Sequence, residues 1–418
     1  MALTAKSRKP SNVEEQTRGL NWDADSPVKI LHIVENLDRG AVETWLVQMF
    51  EECHGLRPAD QWTFYCTLGR PGRNDERVKA LGGRIIYSPV PLGQPASFFL
   101  AFRQMLKQGH FDILHCHHDL LSGCYLLAAM GLRIQTRIVH IHNTDEALPT
   151  PSPFKHWLLK EPLRQACLRL SDKTVGISRH ALGTFLKKDE PRTGRDQVLY
   201  YGCDFGECFQ EGLDPVQLRS DLGLPAHTRL VLFLGRLSPT KNPIGALDIF
   251  AALYRRRTDI ACLFAGDGDL SESIVRRAAE LGLSDRVRML GWYEEPLPLM
   301  KACDLFLFPR LEHNTEGFGV AVLEAQAAGL PVLTSLGVSD EVVMFPKHCR
   351  RLPVAEGAEA WAAAADSLLR TPRLQARDIA VALQNTPFSR EAGARNLLTL
   401  YDASTEKEAR RGIALGEA

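Results

Sequence analysis

Along the chain, short apolar runs rich in β-branched and aromatic residues alternate with longer segments in which apolar positions recur every three or four residues. The short runs predict strands at Val28–Val34, Trp62–Thr67, Arg84–Tyr87, Ile113–Cys116, Ile138–Ile141 and Thr174–Ile177. The longer segments, such as Val42–Glu52 and Asp119–Met130, predict helices between them. From Leu230 the scheme begins again, with strands at Leu230–Leu234, Ala261–Phe264, Val287–Leu290, Leu305–Phe308 and Val332–Thr334. Strand–helix alternation builds parallel sheets covered on both faces, so their strands read as nearly continuous apolar runs. Two such blocks predict two doubly wound α/β domains facing each other.

Between Tyr201 and Leu224 the periodicity gives way to Gly202, Gly206, Gly212, Pro215 and Gly223, a turn-rich stretch suited to a domain junction. The expected division is residues 27–203 and 204–387. Polar, charged residues 1–26 are expected to be a disordered leader and 403–418 a charged tail. A length of 418 residues fits two cores better than one.

Charge and cysteines narrow the class. Lys plus Arg and Asp plus Glu both number 50, so the chain lacks the excess positive charge of a dedicated nucleic-acid binder. None of the ten cysteines forms a C-x-x-C pair, and most lie in apolar runs such as Ile260–Phe264. That usage predicts buried, reduced thiols in a cytoplasmic protein rather than a disulfide framework. The longest greasy stretch, Leu120–Leu132, is shorter than the roughly 20 residues a membrane span requires.

In open α/β sheets, ligands sit beyond the carboxyl ends of the strands. Two segments there carry candidate chemistry. After the strand Leu305–Phe308 comes a loop holding Glu312, Glu316, Gly317, Phe318 and Gly319, and then a helix containing Glu324. Glu316 is expected at the helix entrance, with Glu324 eight residues on and on about the same helical face. The glycines would let a ligand approach the backbone, and free N–H groups at a helix start suit a diphosphate. Helix capping and a solvated glutamate are the alternative explanation. After the strand Leu230–Leu234, Gly235-Arg236 is followed by Lys241. Two cations there can hold a diphosphate and stabilise its charge as it leaves. Loop solvation or a salt bridge is the other account.

Together these segments resemble the retaining GT-B glycosyltransferases of the family 4 type, which include capsule, exopolysaccharide and lipopolysaccharide enzymes. The resemblance rests on Glu316 and Glu324 as an E-x7-E pair and on Gly235-Arg236 with Lys241. It continues through Phe264-Ala265-Gly266-Asp267-Gly268, Val287–Gly291 and Glu324–Val332, in the family's order. It implies a GT-B fold with an acceptor-side first domain, a donor-side second domain, and a helix at 388–402 crossing back to the first. It also implies transfer of a hexose from a nucleotide-diphosphate sugar, with UDP as the default, to a saccharide or lipid-linked acceptor with retention of configuration. Arg236 and Lys241 would hold the diphosphate and Glu324 the ribose. Glu316 would face the donor sugar, covered by the backbone of Gly317, Phe318 and Gly319. The loop is longer than the family's by Glu312-His313-Asn314-Thr315, so Glu312 competes with Glu316 for the sugar.

The first domain carries the resemblance more loosely. Gly40 stands in the glycine turn before the first helix, where Ala41 replaces the family's second glycine. Val139–Thr144 places His142 at a strand end, where the family's histidine reaches sugar or acceptor. A structural histidine is the other reading. His115, Cys116, His117 and His118 invite a metal, but alternation sends His115 and His117 to one face and Cys116 and His118 to the other. No D-x-D pair follows a strand, so neither metal nor other cofactor is expected. Phe154–Lys160 mixes bulky apolar and basic side chains, suited either to packing or to peripheral contact with the inner face of a membrane. Two other functions share the architecture: a nucleotide-sugar 2-epimerase, and a nucleotide-sugar-binding protein without turnover.

Overall fold

The computed structural model describes residues 27–402 apart from 39, 145–152, 188–190, 193, 207–211, 294, 314–315 and 385, with side chains of 153–157 also outside the description. The expected leader, the expected tail and Cys208 lie outside the described residues.

A seven-stranded sheet contains β1 (Lys29–Val34), β2 (Gln61–Cys66), β3 (Arg84–Tyr87), β4 (Ile113–Cys116), β5 (Thr136–Ile141), β6 (Lys173–Gly176) and β7 (Asp196–Val198). A six-stranded sheet contains β8 (Arg229–Leu234), β9 (Ile260–Ala265), β10 (Val287–Gly291), β11 (Leu305–Phe308), β12 (Val332–Ser335) and β13 (Cys349–Leu352). The spatial orders are 3-2-1-4-5-6-7 and 10-9-8-11-12-13, so each sheet reverses direction beside its first strand. All pairings are parallel, and helices fill the crossovers. This is the two-domain doubly wound α/β architecture of GT-B proteins.

Two strands escape the hydrophobic pattern. β7 is three residues long and β13 reads Cys-Arg-Arg-Leu, and both close the edge of a sheet. An edge strand is covered on fewer sides, so its residues need not be apolar. Central strands differ: β9 is buried at every position.

The helix Ala41–Leu56 lays Trp45, Leu46, Met49 and Phe50 against the first sheet. Residues 390–402 form a further helix that returns to the same sheet. Its path is fixed by Cys203 N–H donating to Phe388 O at 2.7 Å and Arg390 N–H donating to Cys203 O at 3.0 Å. Arg57 pairs with Asp402 at 2.8 Å, and Tyr401 reaches His115 at 2.9 Å. Leu397, Leu398 and Tyr401 are buried there, each contributing about 1.5–3 kcal/mol through removal of apolar surface from water.

Candidate active site

The loops at the carboxyl ends of β8, β9 and β11 interlock. Gly266 N–H donates to Gly291 O, while a Cβ at Gly266 would lie 2.1 Å from Gly235 O, so a side chain at 266 would separate the loops. Asn242, at φ 58°, accepts from Gly245 N–H at 3.1 Å and donates from Nδ2 to Pro309 O at 2.9 Å. One asparagine thus caps the helix Pro243–Tyr254 and ties its start to the end of β11. Lys241 is held one residue before it.

Lys241 Nζ lies 2.7 and 2.5 Å from the two carboxylate oxygens of Glu316, and Arg310 Nη1 lies 2.7 Å from Oε2. Lys241 also stands over the Phe308 ring at 5.3 Å. Burial is the largest influence on Lys241 and lowers its pKa; Arg310 and Arg236 add to the lowering and Glu316 opposes it. For Glu316 burial is again the largest influence and acts upward, yet Lys241 and Arg310 together hold its carboxyl below the ordinary range. The carboxylate is therefore kept ionised by two cations. Arg236 is exposed and has no ion pair among the described residues. Sequence reasoning gave Arg310 no role; its signal was a cation two residues past the end of a buried strand.

The structure separates the two candidate glutamates. Glu316 meets Lys241, whereas Glu312 turns away and accepts from Val354 N–H at 2.8 Å. It also corrects the helical placement of Glu316. The helix runs Val320–Ala327 with Gly319 as its N-cap at φ 98°, so Glu316 lies in the preceding loop, its N–H on Gly337 O at 2.6 Å. The common-face argument for Glu316 and Glu324 therefore does not hold: glycines at 317 and 319 turn the chain before the helix begins. Glu324 sits half-buried in that helix.

Gly317 is where the two sheets meet. A Cβ there would lie 2.3 Å from His142 O, and Ser178 Oγ donates to Gly317 O at 2.5 Å. The Phe318 ring packs with Tyr200 and Phe388 at 5.5 and 5.4 Å. Glu341 adds a second tie, accepting from Arg179 N–H at 2.9 Å and from Tyr200 Oη at 2.7 Å.

Gly40 caps the helix Ala41–Leu56 with φ −70°, an ordinary extended conformation. The Glu43 carboxylate folds over it, so close that a Cβ would collide at 1.8 Å. That carboxyl is pushed up by burial. His142 is 4 % exposed, with Nδ1 2.6 Å from Tyr201 Oη and Nε2 3.0 Å from His117 Nδ1. Its ring is thus engaged inside the first domain, while its carbonyl lies close to Gly317. The cavity bounded by Leu126, Arg137, Arg169 and Arg195 measures 490 Å³ but lies near the amino ends of β5 to β7, away from these motifs.

These features define a two-domain α/β protein in which Arg236, Lys241, Arg310 and Glu316 gather past the carboxyl ends of β8 and β11. The family described as "Glycosyl transferase 4-like domain" matches residues 30–202, and "Glycosyl transferases group 1" matches residues 217–382. The chain belongs to the GT-B glycosyltransferases of the family 4 type. It is 27 % identical over 388 residues to EpsF of Bacillus subtilis (strain 168), which is assigned as a glycosyltransferase, covering 92 % of this chain and 99 % of that one. It is 32 % identical over 306 residues to the D-inositol 3-phosphate glycosyltransferase of Segniliparus rotundus, covering 69 % and 66 %. Anabaena Alr3699/HepE, solved in complex with UDP-glucose, superposes with a TM-score of 0.71 at 19 % identity, over 90 % of this chain and 99 % of that one.

Proposed function

We propose that this glycosyltransferase moves a hexose from a UDP-sugar to a saccharide or lipid-linked acceptor, with retention of anomeric configuration, in cell-surface polysaccharide synthesis. The observation that carries the reading is the convergence of Lys241 and Arg310 on Glu316, with Arg236 beside them and free of ion pairs among the described residues. An arriving diphosphate meets Arg236 first and then competes with Glu316 for Lys241. Cations already fixed in the cleft stabilise the leaving nucleoside diphosphate without reorganising. Glu316, released from part of its pairing, can accept from sugar hydroxyls, and Glu324 can accept from the ribose. His142 acts through its carbonyl and its packing, since both ring nitrogens are occupied.

The UDP-glucose complex of the structural neighbour supports a UDP-sugar donor, and a 22 % identity over 313 residues to the capsular polysaccharide biosynthesis glycosyltransferase CapH of Staphylococcus aureus supports a polysaccharide setting. In this reading residues 27–203 with 388–402 are the acceptor side and 204–387 the donor side. Among the described residues no helix is long and apolar enough to cross a membrane. Leu158 and Leu159 stand exposed beside Lys160 in the helix Pro153–Leu170, which supports peripheral contact with a membrane carrying the acceptor. Donor chemistry here uses cations and backbone rather than a metal. The test is proton NMR of the first-formed linkage, made with and without EDTA. A retained anomer at undiminished rate is expected; an inverted anomer, or loss in EDTA restored by manganese, would overturn the corresponding part.

A further inference from the structure

Five histidines share one buried face of the first sheet: His32 from β1, His115 and His117 at and just after the end of β4, and His140 and His142 at and just after the end of β5. Parallel register brings them together. His32 pairs with His115 across β1 and β4, and Cys116 pairs with Val139 across β4 and β5, which sets His117 beside His140. Within a strand the alternation argument holds, because His118 turns aside to Tyr125 at 2.7 Å. It missed the neighbouring strands, where histidines at the same parity land on the same face.

Most of these rings are linked in a line. His32 Nδ1 lies 3.0 Å from His117 Nε2, His117 Nδ1 lies 3.0 Å from His142 Nε2, and His142 Nδ1 meets Tyr201 Oη at 2.6 Å. His140 stands outside the line. It is completely buried, its ring centroid is 4.2 Å from that of His142 and 5.4 Å from that of His117, and neither of its nitrogens has a hydrogen-bond partner. A buried polar atom left this way destabilises the fold unless a ligand satisfies it. One ligand nitrogen from each of His117, His140 and His142 lies within 4.8 Å of the others.

We propose that His117, His140 and His142 form a zinc site inside the first domain, separate from the donor cleft. Imidazole nitrogens suit zinc, which takes three histidines and a fourth ligand at about 2.0–2.1 Å. Such bonds place ligand nitrogens about 3.3 Å apart; binding would exchange the 3.0 Å hydrogen bond between His117 Nδ1 and His142 Nε2 for two metal bonds, while the stacked His140 and His142 rings, with centroids 4.2 Å apart, swing apart to aim their nitrogens at the ion. The outer contacts are those of a metal's supporting shell: Tyr201 on the far nitrogen of His142, and His32 on the far nitrogen of His117. With the proton of each ring on that far nitrogen, the inner nitrogen is left with the lone pair a metal needs. Bound zinc would fix the end of β5, whose His142 carbonyl meets Gly317 of the other sheet. The second grouping, His32, His115 and His117, is less suited, since it has no ring like His140 with both nitrogens unpartnered.

The test needs no sugar substrate. Full-length, tag-free protein produced with added zinc and then gel-filtered should hold one zinc per chain by elemental analysis. Metal-free protein refolded with cobalt should show the visible bands of tetrahedral imidazole-bound cobalt. Trp45, edge-on to His140 at 5.2 Å, should lose fluorescence in that titration, an effect absent in Trp45→Phe. His140→Gln, checked as folded by circular dichroism, should weaken cobalt binding at least ~10-fold, and His115→Gln should leave it unchanged. Wild-type protein without zinc and without a cobalt band overturns the proposal independently of any variant. So does a His140→Gln protein that binds as wild type, or loss confined to His115→Gln.

Discussion

Lys241 Nζ lies 2.5 Å from Glu316 Oε2, joining a loop after β8 to a loop after β11 across 75 residues of sequence. The pair ties the two loops together and, in the proposed reaction, must partly open for the diphosphate. Its two members should therefore fail differently.

Lys241→Glu should lower kcat by about 10²–10³-fold, the usual cost of removing a preorganised group that stabilises developing charge. Arg236→Glu should act in the same direction, with more of its effect in KM because that side chain is exposed. Both proteins should keep the wild-type circular dichroism spectrum. Wild-type turnover by soluble Lys241→Glu would remove this loop from the mechanism.

Glu324→Ala should weaken UDP and UDP-sugar binding together, by about 1–3 kcal/mol, if ribose hydroxyls lose their acceptor in a desolvated cleft. Calorimetry with UDP alone isolates the effect. Unchanged affinity would return Glu324 to a helix-surface role.

The ties between the sheets give a third expectation. Ser178→Ala removes the hydrogen bond to Gly317 O, and Glu341→Gln weakens those to Arg179 N–H and Tyr200 Oη. The double variant should have a larger radius of gyration by small-angle scattering and a raised KM for donor, with its thermal transition little changed. An unaltered scattering curve would show that other contacts hold the domains.

Acid should reveal the Glu316 pair. The unfolded chain protonates this carboxylate near its ordinary value of about 4.3, the folded chain only at lower pH. The unfolded state therefore binds more protons in that window. The pair's contribution is complete above about pH 4.3 and is lost as pH falls through the folded value. Urea midpoints taken from about pH 5 to about pH 3 should fall less steeply for Glu316→Gln than for wild type; parallel curves would contradict the shift.

The alternation of apolar runs and helical periods was legible in the sequence, and with it the two doubly wound sheets, because burial on both faces writes itself into every central strand. So were the positions of Arg236, Lys241, Glu316 and Glu324, since strand-to-helix turns follow directly from that pattern. The rest depended on how separate elements meet. β7 and β13 were invisible because an edge strand has no apolar requirement. Glu316 rather than Glu312 reaches Lys241, and Arg310 joins them, because the path of a loop is set by what it packs against rather than by its own period. Gly317 needs its missing side chain because of a carbonyl in the other domain. The histidines show the limit most plainly. Period-two spacing within β4 and β5 tells which side each ring takes, but only the register between strands stacks five of them in one buried layer.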